Sequence, residues 1–315
     1  MQYRRLGDAG VQLSEIGLGG WLTFGSAIEA EAGRAVFDKA FECGINFFDT
    51  ADGYGRGKGE EAFGQLLSKY RRESYVLATK VYFPVGDGPN DKGLSRKHIM
   101  EECHGSLKRL KTDYIDLYQC HRYDENVTVE EVVRAMDDLI KQGKVIYWGV
   151  SAWNADQISD CLKICGDRYY KPKGSQPRYN MIARDSEAIF PLCHKAGIGQ
   201  VVYSPLAQGV LTGKYKPGQP PPAGSRATDD RQNTFMKKSL LSDEQLLQRV
   251  QRLIPIAEEH HLTLGQMALA WNLRRAEVTS CIIGATRPQQ IEENAEASGV
   301  KLEETTIRKI DEILA

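Results

Sequence analysis

No run in the chain approaches the ~20 consecutive apolar residues that a membrane-spanning helix needs. The opening segment, Met1-Gln2-Tyr3-Arg4-Arg5-Leu6-Gly7, lacks the apolar core of a secretory signal. Neither charge is in excess, because 41 Lys plus Arg stand against 42 Asp plus Glu. This near-neutrality gives nucleic acid or an anionic membrane little to hold. There is also no CxxC pair. Cysteines at Cys43, Cys103, Cys120, Cys161, Cys165, Cys193 and Cys281 are scattered, and the spacing of Cys161 and Cys165 is one helical turn rather than a zinc knuckle. The expectation is a cytoplasmic protein with reduced thiols, no metal, no nucleic-acid partner and no membrane insertion. Two familiar nucleotide signatures are absent as well. Gly53-Tyr54-Gly55-Arg56-Gly57-Lys58-Gly59 fits neither GxGxxG nor GxxxxGK[ST], so its glycines are read as shaping a loop.

What is present is an alternation of strand-like and helix-like segments over 315 residues. After a hairpin around Asp8-Ala9-Gly10, apolar runs recur near 16–19, 45–48, 75–81, 114–120, 145–150, 174–176, 200–203 and 281–284. Between them lie amphipathic stretches such as Ser95 to Leu110, where Ile99, Cys103, Leu107 and Leu110 share one helical face. Thr128-Val129-Glu130-Glu131 and Ser242-Asp243-Glu244-Gln245 both fit a capping box. Eight strands alternating with helices predict an α/β fold, a closed (β/α)8 TIM barrel with an N-terminal β-hairpin, with a doubly wound open sheet as the alternative. No linker or internal repeat divides the chain, so 1–315 is read as a single domain.

Polar residues sit where such a barrel would use them. Asp49 closes the run Ile45-Asn46-Phe47-Phe48, Lys80 closes Tyr75-Val76-Leu77-Ala78-Thr79, His121 follows Tyr114 to Cys120, and Tyr54 lies in the glycine-rich loop after the first. Strand ends of a parallel barrel converge on one rim, where its active sites lie. Two long segments rich in glycine and proline, Tyr82 to Leu94 and Gly209 to Leu241, also follow strands and belong to that rim as lids or binding loops, with a solvated insertion as the alternative. In the second half, Ser151, Gln176, Tyr203 and Ser204 end successive strands. Gly284-Ala285-Thr286-Arg287 leads into a helix whose amino terminus can receive phosphate, with Lys214, Arg226 and Arg287 as nearby positive charge. Singly, Asp49 reads equally as a cap, Tyr54 as a loop aromatic, Lys80 as a surface cation and His121 as a satisfied histidine under the rim. Their order and common placement favour an enzyme.

The segment Gly44-Ile45-Asn46-Phe47-Phe48-Asp49-Thr50-Ala51-Asp52-Gly53-Tyr54-Gly55 resembles the first signature of the aldo-keto reductases. Ser106-Leu107-Lys108-Arg109-Leu110 with Thr112-Asp113-Tyr114-Ile115-Asp116-Leu117-Tyr118 resembles the second. Gly93-Leu94-Ser95-Arg96-Lys97-His98-Ile99, Tyr147-Trp148-Gly149-Val150-Ser151 and the stretch Ser204 to Tyr215 are similar to the branch containing bacterial reductases and the β-subunits of voltage-gated potassium channels.

The resemblance implies a barrel that binds NADP(H) without a Rossmann domain and reduces the carbonyl of a small aldehyde or ketone. It would make Tyr54 the general acid, Lys80 the cation that lowers the tyrosine pKa, Asp49 the partner of Lys80, and His121 the group orienting the substrate oxygen. Carried over residue by residue, Trp21, Asp49, Ser151, Gln176, Tyr203, Ser204, Leu206, Lys214, Arg226, Gly284, Thr286, Gln290, Glu293 and Asn294 fall at nucleotide-contacting positions. Tyr203 would stack on the nicotinamide, Ser151 and Gln176 would bond its carboxamide, and Lys214, Arg226, Thr286 and Arg287 would favour NADPH through its 2′-phosphate. Substrate selectivity would come from Trp21, Phe24, Tyr82, Phe83, Arg122, Tyr123 and the loop after strand seven, and the aromatics among them suit an apolar or aromatic carbonyl or else pack beneath loops. The same resemblance supplies a rival, an NADPH-sensing regulatory subunit of a channel or other partner, and those β-subunits carry asparagine where this chain has His121. It also leaves monomer and homo-oligomer both open.

Overall fold

The computed structural model describes residues 1–21, 23–24, 30–229, 233, 236 and 240–315. Strands β1 (Tyr3–Arg5) and β2 (Gln12–Ser14) form an antiparallel hairpin. Its turn is held by the Leu6 amide donating to the Val11 carbonyl at 3.1 Å, as the Asp8-Ala9-Gly10 sequence predicts. Eight parallel strands follow: β3 (Ile16–Gly19), β4 (Phe47–Asp49), β5 (Val76–Val81), β6 (Ile115–Cys120), β7 (Val145–Ser151), β8 (Gly174–Gln176), β9 (Gly199–Tyr203) and β10 (Val278–Ile283). Pairing of β10 with β3, Cys281 beside Ile16, closes the ring. The fold is a (β/α)8 TIM barrel, and the open-sheet alternative is excluded. β10 starts at Val278, earlier than its apolar run suggests, because Thr279 and Ser280 are buried strand residues.

Successive side chains alternate between the two faces of each strand. One set, Phe47, Val76, Ala78, Leu117, Val201 and Ile282, meets inside the barrel together with Leu6, Ala9 and Leu13 of the hairpin segment. The hairpin therefore plugs the N-terminal end with apolar side chains. The opposite set, including Phe48, Leu77, Tyr118, Trp148 and Val202, joins the larger core against the surrounding helices. One step of two residues beyond the interior layer brings Asp49 after Phe47, Lys80 after Ala78, Gln119 after Leu117 and Tyr203 after Val201. The same alternation that fills the barrel thus aims these polar side chains into its C-terminal mouth.

Helix starts follow local chemistry. Ser95 caps Arg96–Leu110 by accepting from the His98 amide, and Ile99, Cys103 and Leu110 of that helix are buried. Thr128 accepts from the Glu131 amide, but the Glu131 carboxylate takes the Arg96 amide at 2.8 Å instead of completing the box. The second predicted box is displaced by one residue: Asp243, not Ser242, caps Glu244–Arg252 by accepting from the Leu246 amide at 2.8 Å, a carboxylate being the stronger acceptor. Among the described residues no helix is long and apolar enough to cross a membrane, and all seven cysteines are unpaired.

Both long rim segments have internal structure. The 82–94 loop closes on itself through the Gly93 amide and the Tyr82 carbonyl at 2.7 Å, and Asp124 ties it down by accepting from the Leu94 amide at 2.8 Å. The 209–241 segment contains 3-10 turns at Ala207–Thr212 and Arg226–Thr228, while its residues 230–232, 234–235 and 237–239 lie outside the described residues.

Strands β7 and β8 approach unusually closely at Gly149, where an added Cβ would stand 2.5 Å from the Gly174 carbonyl oxygen. Gly149→Ala must therefore spread the two strands, and we expect a loss of about 1–3 kcal/mol of stability, read from urea unfolding midpoints at unchanged m-value.

Candidate active site

Asp49, Tyr54, Lys80 and His121 come together at the C-terminal mouth. Lys80 is fully buried, and its Nζ donates to Asp49 Oδ2 at 2.6 Å, to the Thr50 carbonyl at 2.7 Å and to Tyr54 Oη at 3.4 Å. The second carboxylate oxygen, Asp49 Oδ1, accepts from Gln176 Nε2 at 3.0 Å and Gln119 Nε2 at 3.3 Å. The buried ammonium and both oxygens of its carboxylate partner are thereby engaged, which such a charge requires. The Tyr54 ring stands edge-on to His121 with centroids 5.7 Å apart, and Phe83 packs on the other side of His121 at 4.7 Å.

The electrostatics separate the roles. Burial weighs against the Lys80 charge, but Asp49 and Tyr54 more than offset it and hold the ammonium's pKa above its ordinary value. Burial pushes the Tyr54 hydroxyl up, and although Lys80 pulls it down as the sequence predicts, burial outweighs that pull. The lysine acts in the expected direction without producing the expected net lowering. Tyr54 is therefore a neutral phenol, beside a cation whose charge opposes that effect of burial. His121 is driven well below the usual histidine range by burial and by the Lys80 and Arg122 charges, so it is neutral, and its Nδ1 is buried without a hydrogen-bond partner.

A buried network supports the Tyr54 loop, and sequence reasoning missed it. Burial and the Glu60 charge raise the Asp52 carboxyl well above its ordinary value, and its Oδ1 accepts from the Gly53 amide at 2.5 Å. Glu60 accepts from Thr79 Oγ1 at 2.5 Å and from Arg109 Nε at 2.6 Å, and Arg109 also reaches Glu102 at 2.7 Å. Gln119 was missed too. Its signal was a polar residue in phase with Leu117, which points inward, whereas Asp116 lies on the opposite phase.

The other half of the mouth forms a cleft edged by cations. Burial depresses the Lys214 pKa and the Arg226 and Arg287 charges lower it further, while the ammonium remains open to water. Arg226 is depressed by burial and lies over the Trp21 ring at 5.5 Å. Among the described residues none of these three cations has a carboxylate partner. Gly284 has room beside it: among the described residues only Thr23 Oγ1, at 3.7 Å, would meet an added Cβ. It leads to the helix Pro288–Ala295, where Gln290 Oε1 accepts from the Thr286 amide at 2.8 Å and the Arg287 amide at 3.2 Å. Asn294 is buried in that helix and Glu293 exposed. Tyr203, Ser204 and Leu206 line the turn after β9, where Ser204 holds a left-handed φ of 57° and its carbonyl accepts from Asn180 Nδ2 at 2.9 Å. A non-glycine residue in that region marks strain that the surrounding contacts sustain. Ser151 Oγ donates to the Gln176 carbonyl at 2.9 Å. With Gln176 Nε2 given to Asp49, Ser151 and Gln176 present acceptors rather than donors to the cleft. An orphaned set of cations beside a helix start, a clear approach at Gly284 and acceptors placed deeper are features that fit a dinucleotide.

One predicted specificity residue is elsewhere. Phe24 is buried, edge-on to Phe37 at 5.2 Å and Phe63 at 5.4 Å, so it is core. Trp21 is 43% exposed at the cleft edge. Tyr123 packs on Trp153, which sequence reasoning did not select, at 5.0 Å.

The family model described as the aldo/keto reductase family matches residues 15–315. The chain belongs to the aldo/keto reductase family. A probable voltage-gated potassium channel subunit beta from Arabidopsis thaliana is 41% identical, covering 100% of this chain and 97% of the relative. One of the same description from Oryza sativa subsp. japonica is 42% identical over 95% of this chain and 92% of its own length. A putative voltage-gated potassium channel subunit beta from Schizosaccharomyces pombe is 40% identical, covering 99% and 93%. Family membership supports an oxidoreductase.

The buried neutral His121 makes stability sensitive to acid. The unfolded histidine takes up a proton near pH 6.5 and the folded one resists, so its contribution is present above that pH and is lost as pH falls toward the depressed folded value. Below pH 6.5 the wild type is expected to lose stability more steeply than His121→Asn, by up to about 1.4 kcal/mol per pH unit, as measured by urea unfolding at stepped pH.

Proposed function

We propose that this chain is an NADP(H)-dependent reductase of aldehydes or ketones, a single catalytic domain over 1–315. The supporting observation is Lys80, wholly buried between Asp49 and the Tyr54 hydroxyl. A buried ammonium contributes little to stability that an apolar residue could not supply, whereas beside a protonated tyrosine it makes loss of the phenolic proton easier. When bound, the nicotinamide supplies hydride to a carbonyl carbon. Tyr54 gives its proton to the carbonyl oxygen, Lys80 stabilises the phenolate, Asp49 fixes the ammonium with Gln119 and Gln176, and neutral His121 orients the oxygen on which charge builds.

Tyr203 would face the nicotinamide, with the carboxamide N–H groups on Ser151 Oγ and Gln176 Oε1. Trp21, Ser204, Leu206, Gly284, Gln290, Glu293 and Asn294 would line the remaining cleft, and Lys214, Arg226, Thr286 and Arg287 would hold the 2′-phosphate. The mutual repulsion of the three cations supports NADPH over NADH, because a phosphate dianion relieves it. Near-neutral charge and unpaired thiols support a cytoplasmic setting. The relatives' names favour a second reading, a weakly catalytic NADPH-sensing regulatory subunit. The neutral His121 beside Tyr54 supports catalysis over it.

With NADPH and 4-nitrobenzaldehyde, Tyr54→Phe is expected to lower kcat by roughly 10²- to 10⁴-fold at matched folding and nucleotide occupancy. Equally feeble rates in both proteins with NADPH bound would instead mark a sensor. Lys214→Met should weaken NADPH by about 10-fold while leaving NADH within two-fold, by roughly the strength of one charged hydrogen bond. Fluorescence titration with both nucleotides reads this directly.

A further inference from the structure

One cation beside the proposed reaction centre has no ion-pair partner among the described residues. Arg122 follows His121 and its Nη1 donates to the His121 carbonyl at 2.6 Å, while its guanidinium carbon lies 5.5 Å from the centroid of the Phe83 ring. These two contacts fix the group at the mouth, on the β6 side, across from the Lys214 and Arg226 cleft. It is near enough to Tyr54 to favour the phenolate and near enough to His121 to disfavour a positive charge there. The neighbouring carboxylates are committed elsewhere. Asp124 accepts from the Leu94 and Asn126 amides, Asp87 pairs with Arg56, and Asp49 pairs with Lys80. Among the described residues Arg122 has no ion pair, it is half-buried, and only its bond to the His121 carbonyl occupies its donors.

We propose that Arg122 is a specificity-determining residue that anchors an anionic group on the substrate, so that the preferred substrates are carbonyl compounds bearing a carboxylate, with Phe83 and Tyr82 supporting the apolar part. This rests on the reductase reading and deepens it. A guanidinium presents parallel N–H donors that match a carboxylate, and a half-buried site without a competing anion retains more of that attraction than an exposed one. Phe83 meets His121 at 4.7 Å and Tyr82 at 5.3 Å, both edge-on, which leaves an aromatic wall leading from the His121 ring toward the guanidinium. Aromatics alone suggest an apolar carbonyl, and the unpaired cation changes that expectation to an amphipathic one.

The test compares phenylglyoxylate, 3-formylbenzoate and 4-formylbenzoate with their methyl esters, three reaches from carbonyl to carboxylate, using NADPH-loaded wild type, Arg122→Met and Arg122→Lys. Wild type should favour at least one acid over its ester by roughly 10- to 100-fold in kcat/KM, and the preference should shrink as salt is added. Arg122→Met should bring the acid-to-ester ratio of kcat/KM to about one, with Arg122→Lys retaining part of the preference. No preference for any acid in wild type overturns the proposal. Equal slowing of acids and esters in Arg122→Met also overturns it and assigns the residue to positioning His121. If wild type reduces no aldehyde, the reductase reading fails separately. The proposal is then judged by binding of 4-(hydroxymethyl)benzoate and its methyl ester to the NADPH-loaded protein, followed by nucleotide fluorescence. Tighter binding of the acid that is lost in Arg122→Met upholds the anchor, and equal binding removes it.

Discussion

The buried pair of Lys80 and Asp49 is the constraint around which the C-terminal mouth is built. An ammonium withdrawn from water must have its charge and its donors met by the protein, or it loses the proton. Here the Thr50 carbonyl, Asp49 and the Tyr54 hydroxyl meet them, and two glutamines from distant strands complete the shell of Asp49. Four strands, β4, β5, β6 and β8, each contribute a polar side chain to this one arrangement. A closed barrel makes that possible, because its strands end on a common circle and point the same phase of the alternation inward.

Two electrostatic regimes share this mouth. Around Lys80 charge is balanced within the protein, and the donors are positioned before any ligand arrives. Around Lys214, Arg226 and Arg287 the described residues supply no carboxylate partner, so on the proposed reading the favourable interaction is deferred until an anion enters. Preorganisation suits a group that must act on a reacting atom, and deferred attraction suits a site that must draw a phosphate from solution. The strained turn at Ser204 lies between the two regimes. The Asp52 and Glu60 network beside the Tyr54 loop performs a third task, using a buried carboxyl and a buried ion pair to hold the backbone that presents the phenol.

Much of this could be read from the chain because strand periodicity and rim chemistry coincide. Phe47 to Asp49 and Leu77 to Lys80 show an apolar run ending in a charge, a pattern with few other uses. Gly174-Ser175-Gln176 was readable only by its place in the alternation, since it contains no apolar side chain and is buried through its neighbours. Gln119 was not readable without knowing which face of β6 points inward. Phe24 misled because an aromatic in a rim segment looks the same whether it faces the cleft or, as here, Phe37 and Phe63. The Tyr54 hydroxyl misled for a physical reason: sequence shows that a cation is near, but the opposing effect of burial depends on packing from the whole barrel. The displaced cap at Asp243 is a local competition between adjacent acceptors, which spacing alone does not resolve.

The N-terminal hairpin gives the barrel a direction. Its Leu6, Ala9 and Leu13 occupy the base of the barrel, and Arg4 reaches the Val278 and Leu273 carbonyls at 2.8 Å. The two ends of the chain are thereby joined at the face that carries no proposed chemistry. Durability and reactivity are consequently inherited from different ends of one cylinder. Sequence drift in the rim loops can redirect what the molecule acts upon while the sealed base keeps the shape on which any such change must be built.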